Sequence, residues 1–201
     1  MGEPSRETKE NIMTEIYEKA LVFATKAHKG QKRKGHARCP AECEVDVLGG
    51  NDCSECSGSG YVKLDYITHP VAVAEIAHKI LRKWETQNWV IDDDGEGDIV
   101  KVPALLHDTI EDCGISGEHI EEYFGVHTRT VVLWMTKVEK EEYSQYFSRL
   151  VNSGCIEAIM LKLADITHNL STAEGCMSKN KIQTYKICKL WLERHLGFKD
   201  A

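Results

Sequence analysis

Ala104-Leu105-Leu106-His107-Asp108-Thr109-Ile110-Glu111-Asp112 is the most telling string in this chain. An apolar run that ends in adjacent His and Asp is unusual, because an ionised side chain taken out of water is costly without a partner. Read as one continuous helix from Ile99 to Asp112, it sets His107 four residues from Glu111 and Asp108 four from Asp112. All four then share one broad face. Two of them can bind a divalent ion while the next turn presents two carboxylates beside it. His-Asp alone is explained well enough by a helix end leaving the core; the full string with Glu111 and Asp112 points to chemistry.

The flanking sequence is helical in pattern. From Glu7 to Lys29, Ile12, Ile16, Ala20, Phe23, Ala24 and Ala27 recur at helical spacing, and Gly30 can stop that helix. Pro70 suits a first turn, with Val71, Val73, Ala74, Ala77, Ile80 and Leu81 continuing to about Trp84. Further helices are expected at Gly117–Phe124, Val126–Lys137, Glu141–Val151, Ile156–Leu170 and Lys179–Leu196. No strand pattern competes, so the fold class is all-α. The stretch Asp92 to Asp98 reads as a solvated acidic turn, since it lacks the later Glu of an EF-hand loop.

Composition narrows the function classes. The 201 residues carry 25 Lys+Arg against 32 Asp+Glu, a formal net charge of −7, which disfavours general nucleic-acid binding. A small anionic substrate met by a few local cations is still compatible. No apolar run approaches the ~18 residues of a membrane span, and polar Met1 to Glu10 is unlike a secretory signal. The expected location is therefore the cytoplasm, where the eight cysteines would stay reduced. Four of them cluster between Cys39 and Cys56, while Cys113, Cys155, Cys176 and Cys188 are scattered through helical sequence.

Two other places repeat the anomaly of polar groups in apolar surroundings. Tyr66-Ile67-Thr68-His69-Pro70 puts a His just before a helix start, and Leu161-Lys162-Leu163-Ala164-Asp165-Ile166-Thr167-His168-Asn169 puts an Asp inside an apolar helix. Singly, His69 is an ordinary cap and Asp165 a paired core acid; together they complete a His/His/Asp/Asp set. Taken with Ala27-His28-Lys29-Gly30-Gln31-Lys32-Arg33-Lys34-Gly35, Phe124-Gly125 and Met135-Thr136-Lys137, these motifs stand in the order of the RelA/SpoT-type HD hydrolases, which the chain resembles from about Ala20 to Leu196. The resemblance implies an HD-domain helical bundle spanning 1–201. It implies His69, His107, Asp108 and Asp165 as ligands, usually of manganese. By the same resemblance Glu111 and Asp112 manage the attacking water, Arg33 and Lys34 contact substrate, and Asn169 and Thr172 hold its nucleoside part. The chain looks like a small stand-alone alarmone hydrolase, of the metazoan SpoT-homologue type, that removes the 3′-pyrophosphate of guanosine tetra- or pentaphosphate.

Physical chemistry agrees with hydrolysis. Four mixed nitrogen and oxygen ligands leave two positions of an octahedral ion for a phosphate oxygen and a water whose pKa is lowered. Such ligands alone do not choose between manganese, iron, nickel and zinc.

The main departure from the family is an insertion over 36–65. Cys39-Pro40-Ala41-Glu42-Cys43 and Cys53-Ser54-Glu55-Cys56-Ser57-Gly58-Ser59-Gly60 supply two short-spaced pairs, and the second resembles the CxxCxGxG repeat of zinc-binding chaperone modules. Four thiolates from Cys39, Cys43, Cys53 and Cys56 suit a closed tetrahedral zinc site. The insertion joins Arg33-Lys34 to His69, so it is expected at the pocket rim, where it can cover substrate or dock a protein partner. Ser171 also stands where many relatives carry a basic residue. Two other functions follow from these departures: the same chemistry on another phosphorylated nucleotide such as NADPH, or an antitoxin-like binding module that uses the zinc loop.

Overall fold

Helix α7 (Ile156–Ser171) is buried without interruption from Ala158 to Ile166, so it is the central rod around which the other helices pack. An amphipathic surface helix would bury only a stripe; this one is apolar nearly all round. Lys162 and Asp165 are its two buried charged residues. The computed structural model describes residues 6–33, 37–38, 61–88, 98–172 and 177–198, with side chains over 14–33, 63–88, 99–172 and 177–198. Lys34, Cys39, Cys43, Cys53, Cys56 and the acidic turn at 92–97 lie outside the described residues.

Around α7 stand α1 (Arg6–Ala27), α2 (Thr68–Asn88), α3 (Asp98–Leu106), α4 (Thr109–Cys113), α5 (Gly117–Met135), α6 (Tyr143–Val151) and α8 (Lys179–His195). Helix α2 packs on α3 and α7, α1 on α3, and α8 on α7. Val73, Ala74, Ala77, Leu105, Leu106, Ile159, Leu161 and Ile166 form the shared core. The expected all-α bundle is what the chain builds.

Local chemistry sets the helix ends. The Ser116 side chain accepts from His119 N at the start of α5, and Ser178 accepts from Lys181 N at the start of α8. Gly30 adopts φ 83° beyond the end of α1, which a side chain would oppose. Gly125, at φ 83° and ψ 167°, kinks α5 and divides it where two helices are expected, after Phe124. That region of backbone space is essentially open only to glycine.

Two departures matter for the site. The expected single helix from Ile99 to Asp112 breaks at His107–Asp108 into α3 and α4, so the four polar side chains do not share one helical face. The cause lies in the side chains: His107 Nδ1 binds Ala104 O at 2.7 Å, and Thr109 Oγ1 donates to Leu106 O at 2.7 Å. These carbonyls are ones a continuing helix would use. The second departure is a short ladder of β1 (Ala37–Arg38) against β2 (Tyr61–Val62), antiparallel, with Ala37 opposite Val62 and Arg38 opposite Tyr61. A bridge between Lys32 and Asp65 and the bonds Arg33 N to Leu64 O and Tyr66 N to Gln31 O, each 3.0 Å, extend the pairing. The two ends of the cysteine-bearing stretch are thereby held side by side.

Candidate metal centre

Three elements converge on one buried place. His69 enters in the first turn of α2, His107 and Asp108 come from the break between α3 and α4, and Asp165 comes from the middle of α7. The Thr68 hydroxyl donates to Asp65 O at 2.8 Å and fixes the start of α2, while Pro70 occupies a position whose N–H would have no helical partner. The break after Leu106 turns Asp108 back toward His69.

One ligand atom each from His69, His107 and Asp108 lies within 4.8 Å of the others, the spacing of side chains that can hold one metal ion. His107 Nε2 is 2.9 Å from Asp108 Oδ2, and His69 Nε2 is 3.8 Å from the same oxygen. Asp165 borders the group through His69, with Oδ1 3.3 Å from Nε2. His107 Nε2 is buried and has no hydrogen-bond partner, its approach to Asp108 lacking the alignment such a bond needs. Because Nδ1 of the same ring already binds Ala104 O, the unpartnered nitrogen is free to present a lone pair. A buried imidazole nitrogen without a partner, beside a second imidazole and a carboxylate, fits a divalent transition-metal ion.

The electrostatics keep the acids of this site ionised. Burial works to lower the His107 pKa, but the adjacent Asp108 carboxylate outweighs it and raises the ring to about 9. Burial likewise opposes charge on Asp108, yet the His107 ring holds its carboxyl below the usual carboxylate range. Asp165 is held well below that range against its own burial, chiefly by the Lys162 ammonium. His69 is pushed below 6.5 by burial, which Asp165 only partly offsets. The pocket thus gathers two carboxylates that stay ionised, balanced by the Lys162 ammonium and by a proton on His107 that a metal ion at Nε2 would have to displace.

A hydrogen-bonded surround fixes these groups. Tyr66 Oη donates to Asp108 Oδ2 at 2.5 Å, and burial with that neighbour raises the phenol pKa. Lys162 Nζ donates to Asp165 Oδ2 at 2.9 Å, and Asn169 Nδ2 donates to Asp165 Oδ1 at 2.5 Å. Arg33 Nη2 donates to Asn169 Oδ1 at 3.0 Å, with its guanidinium 5.7 Å from the Tyr66 ring centre. Behind His69, Nδ1 meets His168 Nδ1 at 2.7 Å.

The expected substrate residues fare differently. Arg33 and Asn169 are brought together and linked to the centre through Asp165. Glu111 and Asp112 are both exposed on α4, and Glu111 Oε2 accepts from Lys137 N at 3.2 Å. Thr172 caps the end of α7, and its hydroxyl donates to His168 O at 3.1 Å. His28 is buried, stacks on Tyr66 at 4.6 Å and binds Gln31 Oε1 at 2.8 Å. Sequence reasoning assigned no role to Tyr66 or Lys162. For Lys162 a signal existed: a lysine three residues before an aspartate in an otherwise apolar helix has no other plausible partner.

Among the described residues, no helix is long and apolar enough to cross a membrane. Curated proteins of several sources are similar to this chain. The Arabidopsis thaliana protein described as "Putative GTP diphosphokinase RSH1, chloroplastic" is 30% identical over 177 residues, covering 79% of this chain and 15% of that protein. The Escherichia coli "Bifunctional (p)ppGpp synthase/hydrolase SpoT" is 33% identical over 116 residues, 53% of this chain and 14% of that one. The chain therefore spans about one seventh of the length of these relatives. A solved structure described as "A metazoan ortholog of SpoT hydrolyzes ppGpp and plays a role in starvation responses" shares the fold, with a TM-score of 0.59 at 20% identity, covering 100% of this chain and 91% of that one. The model of the HD domain matches residues 66–170, the span from Tyr66 past Asn169 that holds His69, His107, Asp108 and Asp165, and the chain belongs to that family.

Proposed function

We propose that this chain is a divalent-metal-dependent phosphohydrolase that removes the 3′-pyrophosphate of guanosine tetra- or pentaphosphate. The observation that carries the reading is the meeting of His69, His107 and Asp108 around a buried imidazole nitrogen with no hydrogen-bond partner. The substrate class takes its support from relatives: one is described as a (p)ppGpp synthase/hydrolase and another as hydrolysing ppGpp. Asp165, 3.3 Å from His69 Nε2, is the fourth ligand in this proposal. A divalent cation at these residues supplies Lewis acidity toward a phosphoryl oxygen and makes water a stronger nucleophile near neutral pH. Manganese follows from the family resemblance.

The chain's own groups supply the rest. The planar Arg33 guanidinium offers two-point contact to phosphate, already oriented by Asn169 and Tyr66, and Lys34 adds a point charge. Glu111 or Asp112 accepts the proton of the attacking water, a contribution of about 10² to 10⁴ in rate. Asn169 and Thr172 hold the nucleoside part, Thr172 after its hydroxyl leaves His168 O. Hydrolysis consumes one water and yields pyrophosphate with GDP or GTP. Cys39, Cys43, Cys53 and Cys56 hold a structural zinc in this proposal, and the ladder that pairs the two ends of their segment supports it. A protein partner docking on that zinc loop belongs to the same proposal.

The test is a substrate panel. The purified chain is incubated with guanosine tetraphosphate, guanosine pentaphosphate and NADPH, with Mn²⁺ or with EDTA, and released pyrophosphate and phosphate are measured. Mn²⁺-dependent pyrophosphate from the guanosine substrates, lost in Asp108→Ala, is the expected result. Phosphate from NADPH with no cleavage of guanosine tetraphosphate would reject the substrate, and full activity of Asp108→Ala in EDTA would reject the metal chemistry.

A further inference from the structure

His168 sits on α7 three residues beyond Asp165, half-buried behind the metal centre. Its Nδ1 lies 2.7 Å from His69 Nδ1, with ring centres 4.9 Å apart and planes inclined by 33°. Two imidazole nitrogens this close share one proton, because two lone pairs or two N–H groups would repel. The other nitrogen of His69, Nε2, faces the centre, 3.3 Å from Asp165 Oδ1 and 3.8 Å from Asp108 Oδ2. A nitrogen that holds a cation presents its lone pair, which leaves the proton of a neutral ring on the opposite nitrogen.

We infer that His168 is a positioning residue that accepts the Nδ1 proton of His69 and so keeps the Nε2 lone pair of His69 aimed at the cation. Metal-binding histidines ordinarily pass this second N–H to a carboxylate, a carbonyl or water. A neutral imidazole fixes ring orientation and tautomer equally well and adds no charge. That difference matters here, since Asp108 and Asp165 already supply two negative charges, only one of them offset by Lys162, and a phosphorylated substrate brings more. A third carboxylate behind His69 would repel the ligand the pocket has to admit. His168 is carried by the central helix α7, which places its ring behind His69.

The inference rests on the metal reading of His69, His107 and Asp108, and the experiment separates the two. Mn²⁺ alone is the probe, with free Mn²⁺ counted by electron paramagnetic resonance at fixed pH. His168→Asn places an amide oxygen where Nδ1 stood and keeps the acceptor; His168→Phe keeps bulk and loses it. The Asn variant should bind within about threefold of the parent, and the Phe variant about 10- to 100-fold more weakly, at unchanged melting temperature of the metal-free proteins. Nitrogen-15 spectra of the histidine-labelled, Zn²⁺-loaded protein should show the His69 proton on Nδ1. If His168→Phe does not fold, His168→Gln, whose oxygen reaches toward the Nε2 position, takes its place as the variant without rescue. Equal affinity of the Asn and Phe variants, or a His69 proton found on Nε2, overturns the inference while weak binding by Asp108→Ala leaves the metal reading standing. Parent-like binding by Asp108→Ala overturns the metal reading itself.

Discussion

Lys162→Met removes the cation that lies 2.9 Å from buried Asp165, and its effect can be worked from the surroundings. Both residues are nearly inaccessible, at 8% and 6% exposure, so the aspartate left behind cannot recover its charge compensation from water. Removing one member of a buried ion pair typically costs about 3–5 kcal/mol. Asp165 keeps Asn169 Nδ2 at 2.5 Å and His69 at 3.3 Å, which favours the lower end, about 3 kcal/mol. With an unfolding entropy of roughly 0.4 kcal/mol/K for a chain of this length, the melting temperature should fall by about 7 °C. The assay is thermal unfolding followed by circular dichroism in EDTA, so that bound metal does not mask the loss. Lys162→Met/Asp165→Asn removes both charges and keeps an oxygen for Asn169, and it should recover to within about 1.5 kcal/mol of the parent. A loss under about 1 kcal/mol in the single variant, or a double variant no more stable than the single, would refute the dependence of Asp165 on Lys162.

Mn²⁺ at about 100 times its dissociation constant should add about 2.7 kcal/mol of stability, read as a melting shift of roughly 6 °C, and Asp108→Ala should show none. Glu111→Ala and Asp112→Ala should leave Mn²⁺ affinity unchanged; at least one of them should lower kcat about 10²-fold or more, as measured by pyrophosphate release. Glu141 gives a pH prediction: hydrogen bonds from Arg149, at 2.9 and 3.0 Å, hold its carboxyl at about 2, below the ordinary 4.5. A depressed carboxyl contributes stability that is present above about 4.5 and lost as pH falls toward 2. The melting temperatures of the parent and Glu141→Gln should therefore differ at pH 6 and draw together progressively as pH falls from about 4.5 to about 2, and a gap independent of pH would contradict the assignment.

How far the sequence speaks depends on how local the cause is. The helices declare themselves because apolar spacing on one segment is a local property, and Gly125 declares the kink because few other residues take its backbone angles. The break at His107–Asp108 carries no Gly or Pro. It arises when His107 and Thr109 take the Ala104 and Leu106 carbonyls, and the same residue types would tolerate an unbroken helix. The ladder at Ala37–Arg38 and Tyr61–Val62 is two residues long on each side, too short for an alternating pattern to register.

The centre itself divides along the same line. His107, Asp108 and Asp165 stand out in sequence because each sets charge in an apolar run, a local conflict that only a partner or a metal resolves. The groups that orient them lie far along the chain: Tyr66 is 42 residues from Asp108, His168 is 99 from His69, and Arg33 is 136 from Asn169. None of these partners conflicts with its own neighbours, so none announces itself by local chemistry; Arg33 and Asn169 stand out only through the family resemblance. Lys162 is the exception that fits the rule, because its partner Asp165 is three residues away on the same helix. What holds a ligand can thus be suspected from the energetic strain of its own segment, whereas what aims it appears only when α2, α7 and the α3–α4 break are brought together. Variants at His168, Tyr66 and Lys162 therefore test the folded centre more sharply than deletion of another ligand, because each acts only through contacts made on folding.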